Sequence, residues 1–97
     1  MPSPRWTLDG QRALVTGASA GIGLAICREL LGLGAQVLMV ARDGDLLEQA
    51  RGELEEEFPG PEDAALAFAA DVSDEEQRAE LLDWVADQGG LQPNRAA

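Results

Sequence analysis

The sequence predicts an α/β fold in which three parallel strands, in the order 3-2-1, form an incomplete sheet with helices on both faces. Short apolar runs alternate with longer amphipathic segments, which is typical of βα units. A glycine-rich turn joins the first apolar run to the segment that follows it. After Gly89-Gly90, where a fourth strand should begin, the chain has no apolar run and includes Pro93, a residue that a central strand excludes.

The first βα unit is predicted as a strand over residues 12–16 and a helix over residues 21–33. Apolar side chains recur in this helix at spacings of four, four and three, which predicts an apolar face made of Ile22, Ile26, Leu30 and Leu33. We expect Gly34 to end the helix, because glycine is common just past a helix C-terminus.

The second unit is predicted as a strand over residues 36–40 and a helix over residues 43–58. One stripe of this helix carries the apolar residues Leu47, Ala50, Leu54 and Phe58. The helix is expected to stop at Pro59-Gly60-Pro61, since proline cannot continue it.

The third unit is predicted as a short buried strand over residues 64–70, although its alanines also suit a helix. Its length and its place in the alternation favour the strand. The next helix is expected to begin at Ser73, because Ser73 and Glu76 have the spacing of a capping box, and to end at Gly89-Gly90. Its inner face is predicted to carry Leu82, Val85 and Ala86, flanked by Leu81 and Trp84.

Length and composition limit the chain to one small domain. It has 97 residues, and no uncharged stretch is long enough for a transmembrane helix. Residues 1–10 lack the apolar centre of a signal peptide, so we expect a cytoplasmic protein. Cys27 is the single cysteine, so we expect no internal disulfide, no metal site and a small apolar side chain on a helix.

The net charge of −11 is distributed unevenly. Residues 1–42 carry a balance of +2, residues 43–87 carry −14, and Arg95 adds one positive charge. An acid-rich surface disfavours nucleic acid and anionic membranes, so neither is an expected partner. The acidic run over residues 53–57 is most simply a solvated helix face.

The glycine-rich turn predicts a dinucleotide site. It reads Thr16-Gly17-Ala18-Ser19-Ala20-Gly21-Ile22-Gly23 and leads from a strand into a helix, so that backbone N–H groups at the helix N-terminus suit a pyrophosphate. Gly17 can take the backbone angles of a tight turn, and Gly21 lets the chain approach a phosphate. Gly23 lets helix and strand pack closely.

Two positions after later strands support this interpretation. Arg42 follows the second strand, where an arginine can meet a 2′-phosphate, which points to NADP(H). The alternative is an exposed arginine at a helix start. Asp71 and Val72 follow the third strand, where they can reach an adenine amino group and line the ring. The alternative for Asp71 is a loop aspartate before the Ser73 cap.

Two other nucleotide-binding classes fit less well. The chain has no lysine, which excludes the P-loop signature. A methyltransferase that uses S-adenosylmethionine usually has an acid at the end of its second strand, where this chain has Ala41.

The turn resembles that of the classical short-chain dehydrogenases/reductases, whose pattern Thr-Gly-x-x-x-Gly-x-Gly is matched by Thr16, Gly17, Gly21 and Gly23. The lead-in over residues 5–10, Gly34-Ala35 and Asp71-Val72-Ser73 are similar to the tropinone-reductase-like members. The resemblance covers residues 5–91 and implies that 1–91 is the N-terminal half of a Rossmann domain, followed by a non-family tail over 92–97.

The resemblance also implies which residues bind NADP(H). Ser19, Ala20 and Ile22 would lie near the phosphates, Arg42 at the 2′-phosphate, and Asp71 with Val72 at the adenine. Relatives often carry a basic residue in place of Ala20, so Arg42 would hold the 2′-phosphate alone.

The family's catalytic residues have no counterpart here. Hydride transfer in the family depends on a tyrosine, a lysine, a serine and an asparagine, whereas this chain has no tyrosine, lysine or histidine. Asn94 lies in the unmatched tail, and Ser19 and Ser73 occupy other positions. We therefore assign no catalytic residue and expect a chain truncated before the catalytic half of the family.

Three functional hypotheses remain open. The chain is a truncated or frame-shifted reductase that cannot perform the family's reaction alone, or a non-catalytic module that binds NADP(H) or a related nucleotide. The third hypothesis is an interaction protein. An edge left exposed by a missing fourth strand would pair with a second copy or with a full-length relative.

Overall fold

The computed structural model describes residues 11–60 and 63–90, which form six alternating strands and helices. Their bounds are β1 (Arg12–Thr16), α1 (Gly21–Gly32), β2 (Gln36–Ala41), α2 (Gly44–Glu57), β3 (Ala65–Ala69) and α3 (Glu75–Asp87). Every predicted element is present, and most ends lie within one residue of the prediction.

The three strands form one parallel sheet in the order β1-β2-β3, so the predicted order is confirmed. The register places Leu14 beside Leu38 and Leu38 beside Leu66. The central strand β2 is the most buried of the three, since its residues 37–41 are all buried. Within the described residues, the outer edge of β1 has no strand partner.

Helices α1 and α2 cover one face of the sheet. The predicted stripe of α2 is confirmed, because Leu47, Ala50 and Leu54 are buried against Met39 and its neighbours, with Phe58 half-buried beside them. Each fully buried leucine contributes about 1.5–3 kcal/mol relative to an exposed one. This packing holds the start of α2 beside the end of β2.

The predicted apolar face of α1 is wrong at Ile22 and Ile26, whereas Leu30 does pack against the core as predicted. Ile22 is 81% exposed and Ile26 is 44% exposed, whereas Cys27 and Leu31 are buried. The cause is Gly23, where an added Cβ would lie 2.1 Å from the Gly17 carbonyl oxygen. This close approach turns the row at positions 23, 27 and 31 toward the sheet, so the isoleucines face outward.

Helix α1 ends just before Gly34, as predicted. Leu33 is the C-cap, and Gly34 has a φ of 94°, a left-handed angle that glycine adopts without strain. The N–H groups of Gly34 and Ala35 donate to the carbonyls of Leu31 and Leu30, at 3.0 and 3.1 Å. This Schellman arrangement satisfies two carbonyls that the helix would otherwise leave unpaired.

Helix α3 covers the other face of the sheet, and its predicted inner face is right at Val85 but wrong at Leu82 and Ala86. Leu81 and Val85 are buried, while Leu82 is 62% exposed and Ala86 is also exposed. Trp84 stacks on Phe68 of β3, with ring centroids 5.0 Å apart. The stacking of the half-buried indole ring on Phe68 favours the rotation that brings Leu81 rather than Leu82 inward.

The predicted capping box at Ser73 is also wrong. Asp74 is the N-cap of α3, and its carboxylate accepts a hydrogen bond of 3.1 Å from the Gln77 N–H. Ser73 instead donates both its N–H and its hydroxyl to Asp71. Aspartate caps a helix as well as serine does, and Asp71 engages Ser73 before the helix begins at Glu75.

Helix α3 ends just before Gly89 and Gly90, as predicted, and both glycines have positive φ angles. The Gly90 N–H donates to the Val85 carbonyl at 2.9 Å and ends α3. The expected absence of a fourth strand falls on residues 91–97, outside the described residues. Across ranges 11–60 and 63–90, no helix has the length and apolar character needed to cross a membrane.

Candidate functional site

A cleft of ≈ 520 Å³ opens at the carboxyl ends of all three strands. This edge of an open parallel sheet is the usual place for a bound ligand. Residues from the three strand ends and the turns after them line it: Thr16, Gly17, Ser19, Val40, Ala41, Arg42, Asp43, Ala70, Asp71, Val72 and Ser73.

The glycine turn forms one wall of the cleft. Gly17 and Gly21 have φ angles of 63° and 59°, in the left-handed region where a side chain is strained. The Ala18 N–H donates to the Val40 carbonyl at 3.0 Å, and Ala18 is fully buried. This hydrogen bond therefore joins the turn to the end of β2, just before α1 begins at Gly21.

The N-terminus of α1 is uncapped. Its N-cap residue, Ala20, has no side chain that can accept a hydrogen bond, and the first turn has no acidic residue. The first hydrogen bond of the helix runs from the Leu24 N–H to the Ala20 carbonyl at 3.3 Å, so the earlier N–H groups lack an acceptor in the helix. By contrast, Asp43 caps α2 and Asp74 caps α3.

The uncapped end attracts anions. The partial positive charge at a helix N-terminus and its free N–H groups favour a phosphate. Ile22 lies in the same first turn and is largely exposed, so it presents an apolar surface beside these donors.

Arg42 lies at the mouth of the cleft, directly after β2. Its side chain is exposed, and it belongs to none of the ion pairs among the described residues, which join Arg28 to Glu57 and Arg51 to Glu48 and Glu55. Arg42 is the only cation among the residues that line the described cleft, and Ala41 before it is small and buried.

Asp71 lies across the cleft from the glycine turn, after β3. Its Oδ1 accepts hydrogen bonds from the Ser73 hydroxyl at 2.6 Å and from the Ser73 N–H at 2.9 Å. These bonds, first the hydroxyl and then the N–H, lower the pKa of Asp71, with a smaller effect from the positive charge of Arg42. The carboxylate is therefore ionised at neutral pH and held in one orientation.

The cleft brings together five of the nine residues predicted to bind the cofactor: Gly17, Ser19, Arg42, Asp71 and Val72. The other four, Ala20, Gly21, Ile22 and Gly23, form the start of α1 next to it. Sequence reasoning missed Asp43, although an aspartate just before a helix is a recognisable cap.

A second cavity of ≈ 560 Å³ lies at the opposite edge of the sheet. It is lined by residues at the amino ends of the strands and the last turns of α1 and α2, including Arg12, Gln36 and Phe58. The Arg12 guanidinium is already engaged there with the Gln36 side chain and the Gly90 carbonyl. No residue of the glycine turn over 16–23 lines this cavity, whereas three of them line the cleft at the carboxyl edge, which is therefore the candidate site.

Comparisons with known proteins agree on one family. The family model described as short chain dehydrogenase matches residues 11–91. A tropinone reductase homolog of Arabidopsis thaliana is 39% identical over 83 residues, which cover 86% of this chain and 30% of that protein. A second homolog from the same plant is 42% identical over 82 residues, covering 84% of this chain and 29% of that protein.

Solved structures give the same result. L-sorbose reductase from Gluconobacter frateurii, complexed with NADPH and L-sorbose, superimposes with a TM-score of 0.78 at 34% identity. The match covers 88% of this chain and 31% of that chain. The RhlG/NADP complex from Pseudomonas aeruginosa has a TM-score of 0.77 at 33% identity, covering 90% of this chain and 33% of that one. The chain thus spans about a third of the length of these relatives.

Proposed function

The chain belongs to the short chain dehydrogenase family, and from that premise we propose that its cleft binds NADP(H) as the cofactor-binding part of an oxidoreductase. The observation that carries the proposal is the uncapped N-terminus of α1 beside a cleft whose one cation is Arg42. Two structural relatives were solved with NADPH or NADP, which supports this choice of cofactor. In this proposal, residues 1–91 form the N-terminal half of a dinucleotide-binding domain and 92–97 lie outside it.

The pyrophosphate is proposed to bind at the glycine turn. The free N–H groups of residues 21–23 donate to its oxygens, and the left-handed Gly17 and Gly21 keep Cβ atoms away from it. Ser19 lines the cleft between them and can donate its hydroxyl. Ala20 and Ile22 contribute backbone and an apolar cover rather than charge.

Arg42 is proposed to bind the 2′-phosphate. A guanidinium makes charge-assisted hydrogen bonds to phosphate, each worth about 1.5–3 kcal/mol. Ala41 at the end of β2 offers no carboxylate to a free ribose hydroxyl, so this position does not favour NAD(H). Because Ala20 adds no second cation, Arg42 alone would hold the 2′-phosphate.

The adenine is proposed to lie between Asp71 and Val72. Ser73 engages the Oδ1 of Asp71, which orients Oδ2 as an acceptor for the amino group of the base. Val72 is 38% exposed and lines the cleft, so an aromatic ring packed on it would remove apolar surface from water.

NADPH supplies a hydride when it is bound, and the glycine turn, Arg42 and Asp71 would bind and orient the nucleotide. The sequence has no tyrosine, lysine or histidine, so we assign no catalytic residue and expect the 97-residue chain alone not to reduce a carbonyl. A cytoplasmic location remains part of the proposal.

Calorimetric titration with NADPH and NADH tests the proposal. We expect saturable binding with NADPH preferred, and a loss of at least tenfold in NADPH affinity in Arg42→Ala, since one charge-assisted bond accounts for about that factor. Arg28→Ala is the matched control, because Arg28 is paired with Glu57 outside the cleft. Equal affinity of the unmodified chain for both nucleotides would contradict the role of Arg42.

A second candidate function is pairing through the sheet edge. The outer edge of β1 lacks a strand partner among the described residues, and an open edge can accept a strand from a second copy or from a full-length relative. Light scattering at increasing concentration tests this idea. A dimer supports it, whereas a monomer across the whole range, also when mixed with a full-length relative, rejects it.

A further inference from the structure

We propose that Asp43 limits the affinity of the cleft for a 2′-phosphate and thereby sets how strongly NADPH is preferred over NADH. The inference rests on the proposed function, and it identifies a second residue, of opposite charge to Arg42, that determines specificity. It follows from the place of the Asp43 carboxylate and from the charges that surround the cleft.

Asp43 is fixed next to the proposed phosphate position. It follows Arg42 directly, lines the same cleft and is exposed. Its Oδ1 accepts hydrogen bonds from the N–H groups of Asp45 and Leu46, at 3.0 and 3.1 Å. The carboxylate therefore stays at the start of α2 instead of swinging away into water, and it occupies two N–H donors that a phosphate could otherwise use.

The charges of the residues that line the cleft determine how the Asp43 carboxylate affects binding of a phosphate. Among the lining residues, Arg42 is positive while Asp43 and Asp71 are negative, which leaves a net charge of −1. A 2′-phosphate is close to a dianion at neutral pH, so it is attracted by Arg42 and repelled by the adjacent Asp43. NADH has a hydroxyl at the same position, so the carboxylate penalises NADPH and leaves NADH nearly unaffected.

Asp43→Asn isolates this effect. Asparagine caps a helix as well as aspartate does, so α2 keeps its first turn while the charge is removed. We expect NADPH affinity to rise roughly threefold to tenfold at low salt, with NADH affinity unchanged, since exposed charges interact modestly and are screened. Raising the salt concentration to about 0.5 M should remove most of the gain.

The matched control is Asp74→Asn, which makes the same change at the N-cap of α3, outside the residues that line the cleft. Calorimetry with both nucleotides is run on these two variants, on Arg42→Ala and on the unmodified chain, with circular dichroism to compare their folding. The expected result is a gain for NADPH in Asp43→Asn that is absent in Asp74→Asn.

Other results overturn the inference in distinguishable ways. If Arg42→Ala loses NADPH while Asp43→Asn binds like the unmodified chain, Asp43 has no role in specificity and the proposed function stands. An equal gain for both nucleotides, or an equal gain in Asp74→Asn, also overturns the inference because the effect is then one of overall charge. If neither the unmodified chain nor any of the variants binds NADPH, the proposed function fails as well.

Discussion

Replacing Gly23 with alanine should break the junction between the glycine turn and α1. An added Cβ would lie 2.1 Å from the Gly17 carbonyl oxygen and 2.7 Å from the Gly17 carbonyl carbon. Both atoms belong to the backbone, so no side-chain rotation relieves the overlap. Helix and turn must move apart by about 1 Å, given that close-packed interiors do not tolerate such contacts.

The size of the effect follows from two opposing terms. Alanine is favoured over glycine in a helix by about 1 kcal/mol, and overpacking costs typically 1–3 kcal/mol, toward the upper end where backbone must move. We therefore expect Gly23→Ala to lower the free energy of unfolding by about 1–2 kcal/mol. The same movement displaces the N–H groups of the first turn, so NADPH binding should weaken as well.

Gly52→Ala in α2 is the matched control. An added Cβ there meets nothing within 4 Å, so only the helix propensity acts and the variant should be more stable by about 0.5–1 kcal/mol. Urea unfolding followed by circular dichroism measures both variants, and calorimetry measures NADPH binding. If Gly23→Ala were stabilised as much as Gly52→Ala, the close packing of α1 on the turn would be refuted.

Three further outcomes follow from the packing and the hydrogen bonds. Burial raises the pKa of Cys27 to about 11, so this thiol should resist a disulfide reagent at pH 8 until the chain is unfolded. The stability that the buried neutral thiol contributes should fall as pH rises from about 9 toward 11. Labelling of Cys27 at pH 8 without denaturant would contradict this expectation. In urea unfolding, Leu81→Ala should lower the free energy of unfolding by about 2–4 kcal/mol because Leu81 is buried, and Leu82→Ala should lower it by less than about 0.5 kcal/mol because Leu82 is exposed. Equal effects of the two substitutions would reject the observed buried face of α3. Ser73→Ala should raise the pKa of Asp71 toward its ordinary value, because its main hydrogen bond is lost, and an NMR titration that finds no rise would exclude that bond.

The sequence predicts well those elements whose pattern is decided locally. Apolar runs bounded by turn residues locate all three strands, and the stripe through Leu47, Ala50 and Leu54 identifies the buried face of α2. The positive φ angles at Gly34 and Gly89 explain why glycine marks the ends of α1 and α3.

The errors arise where tertiary contacts decide the outcome. In α1, the contact of Gly23 with the Gly17 carbonyl rotates the helix so that Cys27 faces the core and Ile22 faces outward. Apolar spacing contains no information about that contact. In α3, the stacking of Trp84 on Phe68 has the same effect, because it joins residues from two different elements.

Part of the candidate site was predictable because it depends on where the strands end, and the rest depends on contacts between elements. Parallel strands bring their carboxyl ends to one edge, so Gly17, Arg42 and Asp71 could be grouped from the sequence alone, and the cleft does bring them together. The role of Ser73 could not be derived, since its spacing to Glu76 suggested a cap while its donors bind Asp71. That Asp43 lines the cleft also emerges only from the fold.

The most direct test of nucleotide binding at the carboxyl edge is an NMR titration of the 15N-labelled 97-residue chain with NADPH. Amide signals of residues 17–23 and of Arg42 should shift in a saturable way, while those at the opposite edge, such as Ala35 and Ala64, should remain in place. Shifts confined to that opposite edge, or no shifts at millimolar NADPH in a folded sample, would contradict the site proposed here.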